Sequence, residues 1–172
     1  MAAIVHYQHL TVLTILVTVH VFPLTDLQFL KANARNGHHA SIFFLTPEGE
    51  SVHLNMVDDS CTDNNGTLIV KHCEFQHSRT EIQNFDLEAK SNLTVGQVLS
   101  LLYHKRCHKY EYTEEVVGCR FWVAKVVDDL HASGFIQPTA ISNASLTRTF
   151  LEYNYSLEGP PRWDPMVPGR FC

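Results

Sequence analysis

The stretch GCRFWVAKVVDDLHASG, residues 118–134, decides how the rest of the chain is read. Val123, Val126, Val127 and Leu130 fall at i, i+3, i+4 and i+7, the spacing that lines apolar side chains along one face of an α-helix. Gly134 is the residue expected just past its end. Cys119 then sits in the first turn, where unpaired backbone N–H groups and the helix dipole stabilise an anion and shift a thiol toward thiolate. A thiolate is the form of cysteine that attacks a carbonyl carbon. The same position also suits a small buried residue where a helix meets a sheet, because free cysteine is among the most buried residue types.

A nucleophilic thiolate needs a base brought to it by the fold, and the segment 39–57 offers one. HASIFFL (39–45) and SVHLNMV (51–57) read as two strands joined by the turn Thr46-Pro47-Glu48-Gly49, with proline second and glycine fourth. Paired symmetrically about Pro47, they set Ser41 opposite His53 and His39 opposite Asn55. All four then share one face, with His39 and His53 about 7 Å apart on the diagonal. His39 is the candidate general base, and either His53 or Asn55 can hold its second ring nitrogen and fix the tautomer. His38 is expected on the opposite face. The alternative for the polar face is solvation on the outside of an antiparallel sheet, with no chemical role.

The run His39-Ala-Ser-Ile-Phe-Phe, then Val52-His53-Leu54, then Gly118-Cys119-Arg-Phe-Trp-Val resembles the circularly permuted papain-like fold. In its lecithin-retinol acyltransferase and NlpC/P60-like branch, a strand of form HxxIY precedes one of form VxHL, and a helix then opens on the cysteine. The resemblance covers residues 38–134. It implies Cys119 as nucleophile, His39 as general base and His53 as third member. The hairpin is about two residues longer than that family's, which keeps Asn55 as the competing third member. Gly118 replaces the family's asparagine, and Arg120 and Phe121 replace its glutamate and histidine. The whole chain is also similar to an uncharacterised family of small fungal proteins that share the histidine strand and the Gly-Cys-Arg-Phe-Trp-Val pattern. The implied chemistry is acyl transfer through a thioester, with a small-molecule ester or amide as substrate and no cofactor or metal.

Outward from these segments the chain reads as one α+β domain over residues 1–157, an antiparallel sheet with the cysteine helix packed on it. Leu10 to Leu24 alternates as a strand, Ile15, Val17, Val19 and Val21 on one face and Leu16, Thr18 and His20 on the other. Residues 61–66 read as a loop and 68–75 as a strand. Thr94 with Gln97 forms a capping box for a helix carrying Val95, Val98, Leu99 and Leu102, and 108–114 reads as a short strand. The segment 158–172 holds four of the seven prolines and is expected as an extended tail.

A net charge of −5 leaves no basic footprint for a nucleic-acid backbone. The apolar stretch 10–24 is too short to span a membrane, so no stable membrane anchor is expected. A cytoplasmic location is expected, while sequons at Asn65, Asn92, Asn143 and Asn154 keep secretion open. Two other readings compete with the enzyme. Eleven histidines include His72 and His77 near Cys73, and His104 and His108 beside Cys107, sets suited to a metal. The aromatic last third suits a non-catalytic small-molecule-binding or biosynthetic accessory protein on the same fold.

Overall fold

The computed structural model describes residues 7–21, 38–58, 64–113, 118–155 and 159–172. In chain order the elements are β1 (Thr14–Val21), β2 (His38–Leu45), β3 (Ser51–Asp58), β4 (Asn65–Cys73), β5 (Glu81–Glu88) and α1 (Val95–His104). They are followed by β6 (Lys109–Glu111), α2 (Cys119–Ala132), a 3-10 turn, α3 (Ile141–Phe150), β7 (Tyr153–Asn154), β8 (Arg162–Trp163) and β9 (Arg170–Phe171). Seven strands form one sheet in the order β5-β1-β2-β3-β4-β6-β9, and β7 pairs with β8 separately. Every pairing is antiparallel. The architecture is therefore α+β.

Alternation explains the sheet's two faces. Ile15, Val17 and Val19 of β1, Ala40, Ile42 and Phe44 of β2, and Val52, Leu54 and Met56 of β3 are almost fully buried in one core cluster with α1 and α2. The capping box at Thr94 and Gln97 is formed, and Val95, Val98, Leu99 and Leu102 are the buried residues of α1. On α2, Val123, Val126, Val127 and Leu130 are buried beside Trp122, and Gly134 follows in the left-handed region at φ 68°. Each such side chain contributes about 2 kcal/mol on burial. The helix is thus pinned to the sheet along its length, and Cys119 at its start is held with it.

Two expectations change. The hairpin register is centred one residue later than Pro47, so Phe43 faces His53 and Ile42 faces Leu54. Gly49, at φ 82°, adds a left-handed residue to the turn, and Thr46 N–H closes it on Glu50 O. Moving the pairing by two residues preserves which side chains share a face but separates Ser41 from His53 as direct partners. The C-terminal segment, expected as an extended tail, is joined to the fold at two points: β8 pairs with β7, and β9 joins the main sheet beside β6. Residues 65 and 66, read as loop, already belong to β4. Helix α3 and strand β5 lacked a periodic apolar signal, because only Leu87 of β5 is buried. The side chain of His38, expected on the opposite face, lies outside the described set. Among the described residues no helix is long and apolar enough to cross a membrane.

Candidate active site

Strands β2 and β3 pair only from Leu45 opposite Ser51 to Ile42 opposite Leu54, although both continue well past Ile42 and Leu54. Ala40 and His39 lie beyond the end of that ladder, and the start of α2 meets β2 there. The Cys119 thiol lies by the His39 side chain and the Ala40 backbone N–H, which act on it against the effect of burial. Both side chains are buried, each about 5% exposed.

Burial alone pushes a thiol up and an imidazole down. Here the pair outweighs burial. For Cys119, the positive charge of His39, the hydrogen bonds from His39 and Ala40 and the Arg120 guanidinium together bring the thiol below its ordinary value. For His39, burial is overcome by the negative charge and hydrogen bond of Cys119 and by the hydrogen bond to Asn55, and its pKa is raised. Both directions favour a thiolate beside an imidazolium.

Asn55, rather than His53, holds the ring. His39 Nε2 lies 2.5 Å from Asn55 Oδ1. An amide oxygen only accepts, so Nε2 carries the proton, and neutral His39 is left with its lone pair on Nδ1 for the thiol proton. His53 turns to Ser41 instead, Nε2 to Oγ at 2.9 Å, and its ring stacks on Phe43 with centroids 4.1 Å apart. His20, directly opposite His39 on β1, reaches the same Ser41 oxygen at 2.7 Å and Thr80 Oγ1 at 3.0 Å. Its ring lies 6.1 Å from that of His39, stacked at 30°. Burial first, then the charge of His39, pushes His20 down to about 3; burial, His39 and Lys71 do the same to His53. With both rings neutral, the one Ser41 proton is donated to one of them, and the serine oxygen accepts from the other. Of the three imidazoles on this face, His39 is therefore the one whose charged form is favoured. The polar face is buried rather than solvated: Thr18, His20 and Ser41 are 0–5% exposed.

Helix α2 starts without a side-chain cap. Its first-turn N–H groups, that of Cys119 included, therefore remain available to an anion. The N-cap is Gly118 at φ 148°, a conformation that favours glycine, and its carbonyl accepts from Trp122 N–H at 3.0 Å and from the Tyr110 hydroxyl at 2.9 Å. On the other side of the cysteine, the buried Arg120 guanidinium donates to Leu151 O at 2.7 Å and to Asp164 O at 2.6 Å. It also pairs with Asp164 Oδ2 at 3.0 Å.

The family described as Domain of unknown function (DUF7770) matches residues 19–172. The chain belongs to that family. The matched span includes His20, His39, Asn55, Tyr110, Cys119 and Asp164, so every contact described above lies within it. No curated protein and no solved structure matches the chain.

Among the described residues, no group of three or more His, Cys, Asp or Glu is placed to hold an ion. His72 pairs with Glu50 at 2.7 Å and His77 with Glu81 at 3.2 Å on the surface, away from the buried Cys73. Helix α1 ends at His104, and Arg106 in the left-handed region turns the chain, so His104 and His108 do not share a helical face. Of the last-third aromatics, Trp122 is core, its indole N–H bonded to Cys107 O, while Trp163 is 62% exposed. A groove of about 250 Å³ lies between β5 and α3, lined by Phe85, Asp86, Leu146, Thr147 and Phe150, and does not include Cys119. The sequence offered no signal for His20 as a neighbour of the site, because that depends on which residue of β1 pairs with His39. Nor did it mark Tyr110 or Asp164, whose contacts join the C-terminal segment to Gly118 and Arg120.

Proposed function

We propose that this protein is a thiol-dependent acyl-transfer enzyme, hydrolase or acyltransferase, on a permuted papain-like arrangement in which Cys119 is the nucleophile, His39 the general acid–base and Asn55 the third member. The observation that carries this is the buried pairing of Cys119 with His39 at the start of α2, each favouring the other's charged form, with the histidine ring held by Asn55. The order His39, Asn55, Cys119 along the chain, on strand, strand and helix, is consistent with the permuted fold.

The substrate is a small-molecule ester or amide. The thiolate adds to its carbonyl carbon, and the oxyanion is met by the Cys119 backbone N–H at the uncapped helix start. Collapse breaks the bond to the alkoxide or amine, which leaves with the proton from the His39 imidazolium and produces a thioester. His39, now neutral, takes a proton from water or from an amine or alcohol acceptor as that nucleophile attacks the thioester. Release of the acyl product restores thiolate and imidazolium.

A second reading is favoured by one observation, the 5% exposure of Cys119: a non-catalytic binding or accessory protein that retains the pair as a closed polar contact. A single experiment separates them. The native protein is treated with limiting iodoacetamide across about pH 5 to 9 and with a panel of activated esters, and adducts are mapped by mass. The enzyme reading expects labelling of Cys119 that persists into acid, an acyl adduct on the same residue, and loss of that adduct in Cys119→Ala. Labelling that rises only near the ordinary thiol pKa, with no acyl adduct, supports the binding protein and overturns the enzyme.

A further inference from the structure

We propose that Tyr110 is a positioning residue for Cys119, and that through it the C-terminal segment is a working part of the site; this rests on the thiolate reading above. The Tyr110 hydroxyl has one proton and donates it to the Gly118 carbonyl at 2.9 Å, while its oxygen accepts the Gly169 N–H, also at 2.9 Å. One oxygen thus joins the residue before the nucleophile to the residue that leads into β9. The join is tight. A Cβ on Gly118 would lie 2.6 Å from this hydroxyl, and one on Gly169 would strike the same hydroxyl and the Glu111 carbonyl. Both glycines are therefore required by the close approach of a third residue.

The residue after the nucleophile is tied to the same segment. Arg120 reaches Asp164 by two contacts, so Cys119 is flanked on both sides by residues anchored in residues 164–169. Where other helices fix their first turn with a side chain on the free N–H groups, α2 has none. Tyr110 holds the N-cap from its carbonyl instead and leaves those N–H groups open. Its ring is fixed independently, against Tyr112 at 5.2 Å and Phe171 at 4.9 Å between centroids. Burial pushes the Tyr110 hydroxyl above its ordinary value, so it stays protonated and remains a donor.

The test is the pH profile of Cys119 alkylation in Tyr110→Phe and in Gly169→Ala. The first keeps the ring and removes both hydrogen bonds; the second displaces the hydroxyl from the exposed C-terminal side. In each, the midpoint for labelling is expected to move upward, with the rate on its acid side about tenfold lower, the equivalent of one pKa unit. Thermal unfolding is followed in parallel, because a purely structural role would lower the melting temperature without moving the midpoint. Folded variants whose profiles superimpose on wild type overturn the inference. If wild type itself lacks an acid-side thiolate, it is the thiolate reading that has failed.

Discussion

At the scale of single residues, the site depends on which neighbour holds His39. A side chain that binds Nε2 fixes the basic nitrogen and steadies the imidazolium; one that merely lies on the same face does neither. Asn55 makes that contact and His53 does not. Asn55→Ala is therefore expected to lower the pKa of His39, raise that of Cys119 and slow acid-side alkylation about tenfold, within the range of one lost charge-assisted hydrogen bond. His53→Gln, which can still reach Ser41, is expected to leave the profile near that of wild type. Alkylation rates of the two variants decide this, and equal effects would return His53 to the site. The pair also sets a sign for pH. By the proposed mechanism acylation needs thiolate and imidazolium together, so its rate is expected to rise through the lowered pKa of Cys119 and fall through the raised pKa of His39. Alkylation needs only the thiolate and is expected to rise without the alkaline fall. Parallel profiles with the two reagents test this, and a common alkaline fall would remove His39 from the acid role.

At the scale of elements, what could be read from sequence is what local physics determines. Helix α1 was legible because Thr94 and Gln97 satisfy each other's backbone N–H groups at its start, and both bonds are present. Thr94→Ala is accordingly expected to cost about 1 kcal/mol, read as a lower urea midpoint at unchanged slope. A change in slope would instead place the effect in the unfolded chain. Helix α2 was legible from its apolar stripe, and the shared face of His39, His53 and Asn55 from the two-residue period of strands. The register of the hairpin was not, because a single left-handed glycine after Pro47 and Glu48 moves the centre of pairing without any change in the pattern. Strand β5, with charges at Glu81, Asp86 and Glu88 and one buried leucine, carries too little apolar contrast to be recognised. The two-residue strand β9 has no signal of its own. His20 became a neighbour of the site only when β1 and β2 paired across residues 22–37 of intervening sequence.

At the scale of the whole molecule, the thiol at the start of α2 is reached from both ends of the fold: β2 supplies the imidazole, and the C-terminal segment holds Arg120. The Arg120 side chain is 6% exposed, and Asp164, at 26%, is the one carboxylate paired with it among the described residues. A guanidinium does not lose its proton, so removal of the counter-charge leaves a buried cation facing only neutral acceptors among its described contacts, the carbonyls of Leu151 and residue 164 included. Asp164→Asn is therefore expected to destabilise the fold by about 2 kcal/mol, below the cost of breaking a fully buried pair because the carboxylate is partly solvated. Its effect on Cys119 has the opposite sign to a loosening of the fold. The Arg120 charge favours the thiolate, and the carboxylate beside it partly cancels that charge. With Asp164 neutral, the alkylation midpoint is expected to move to lower pH by a fraction of a unit. Denaturant unfolding and the labelling profile of the same variant provide the two readings. A lower stability with a midpoint displaced upward would mean that Asp164 acts on Cys119 only by holding the C-terminal segment in place.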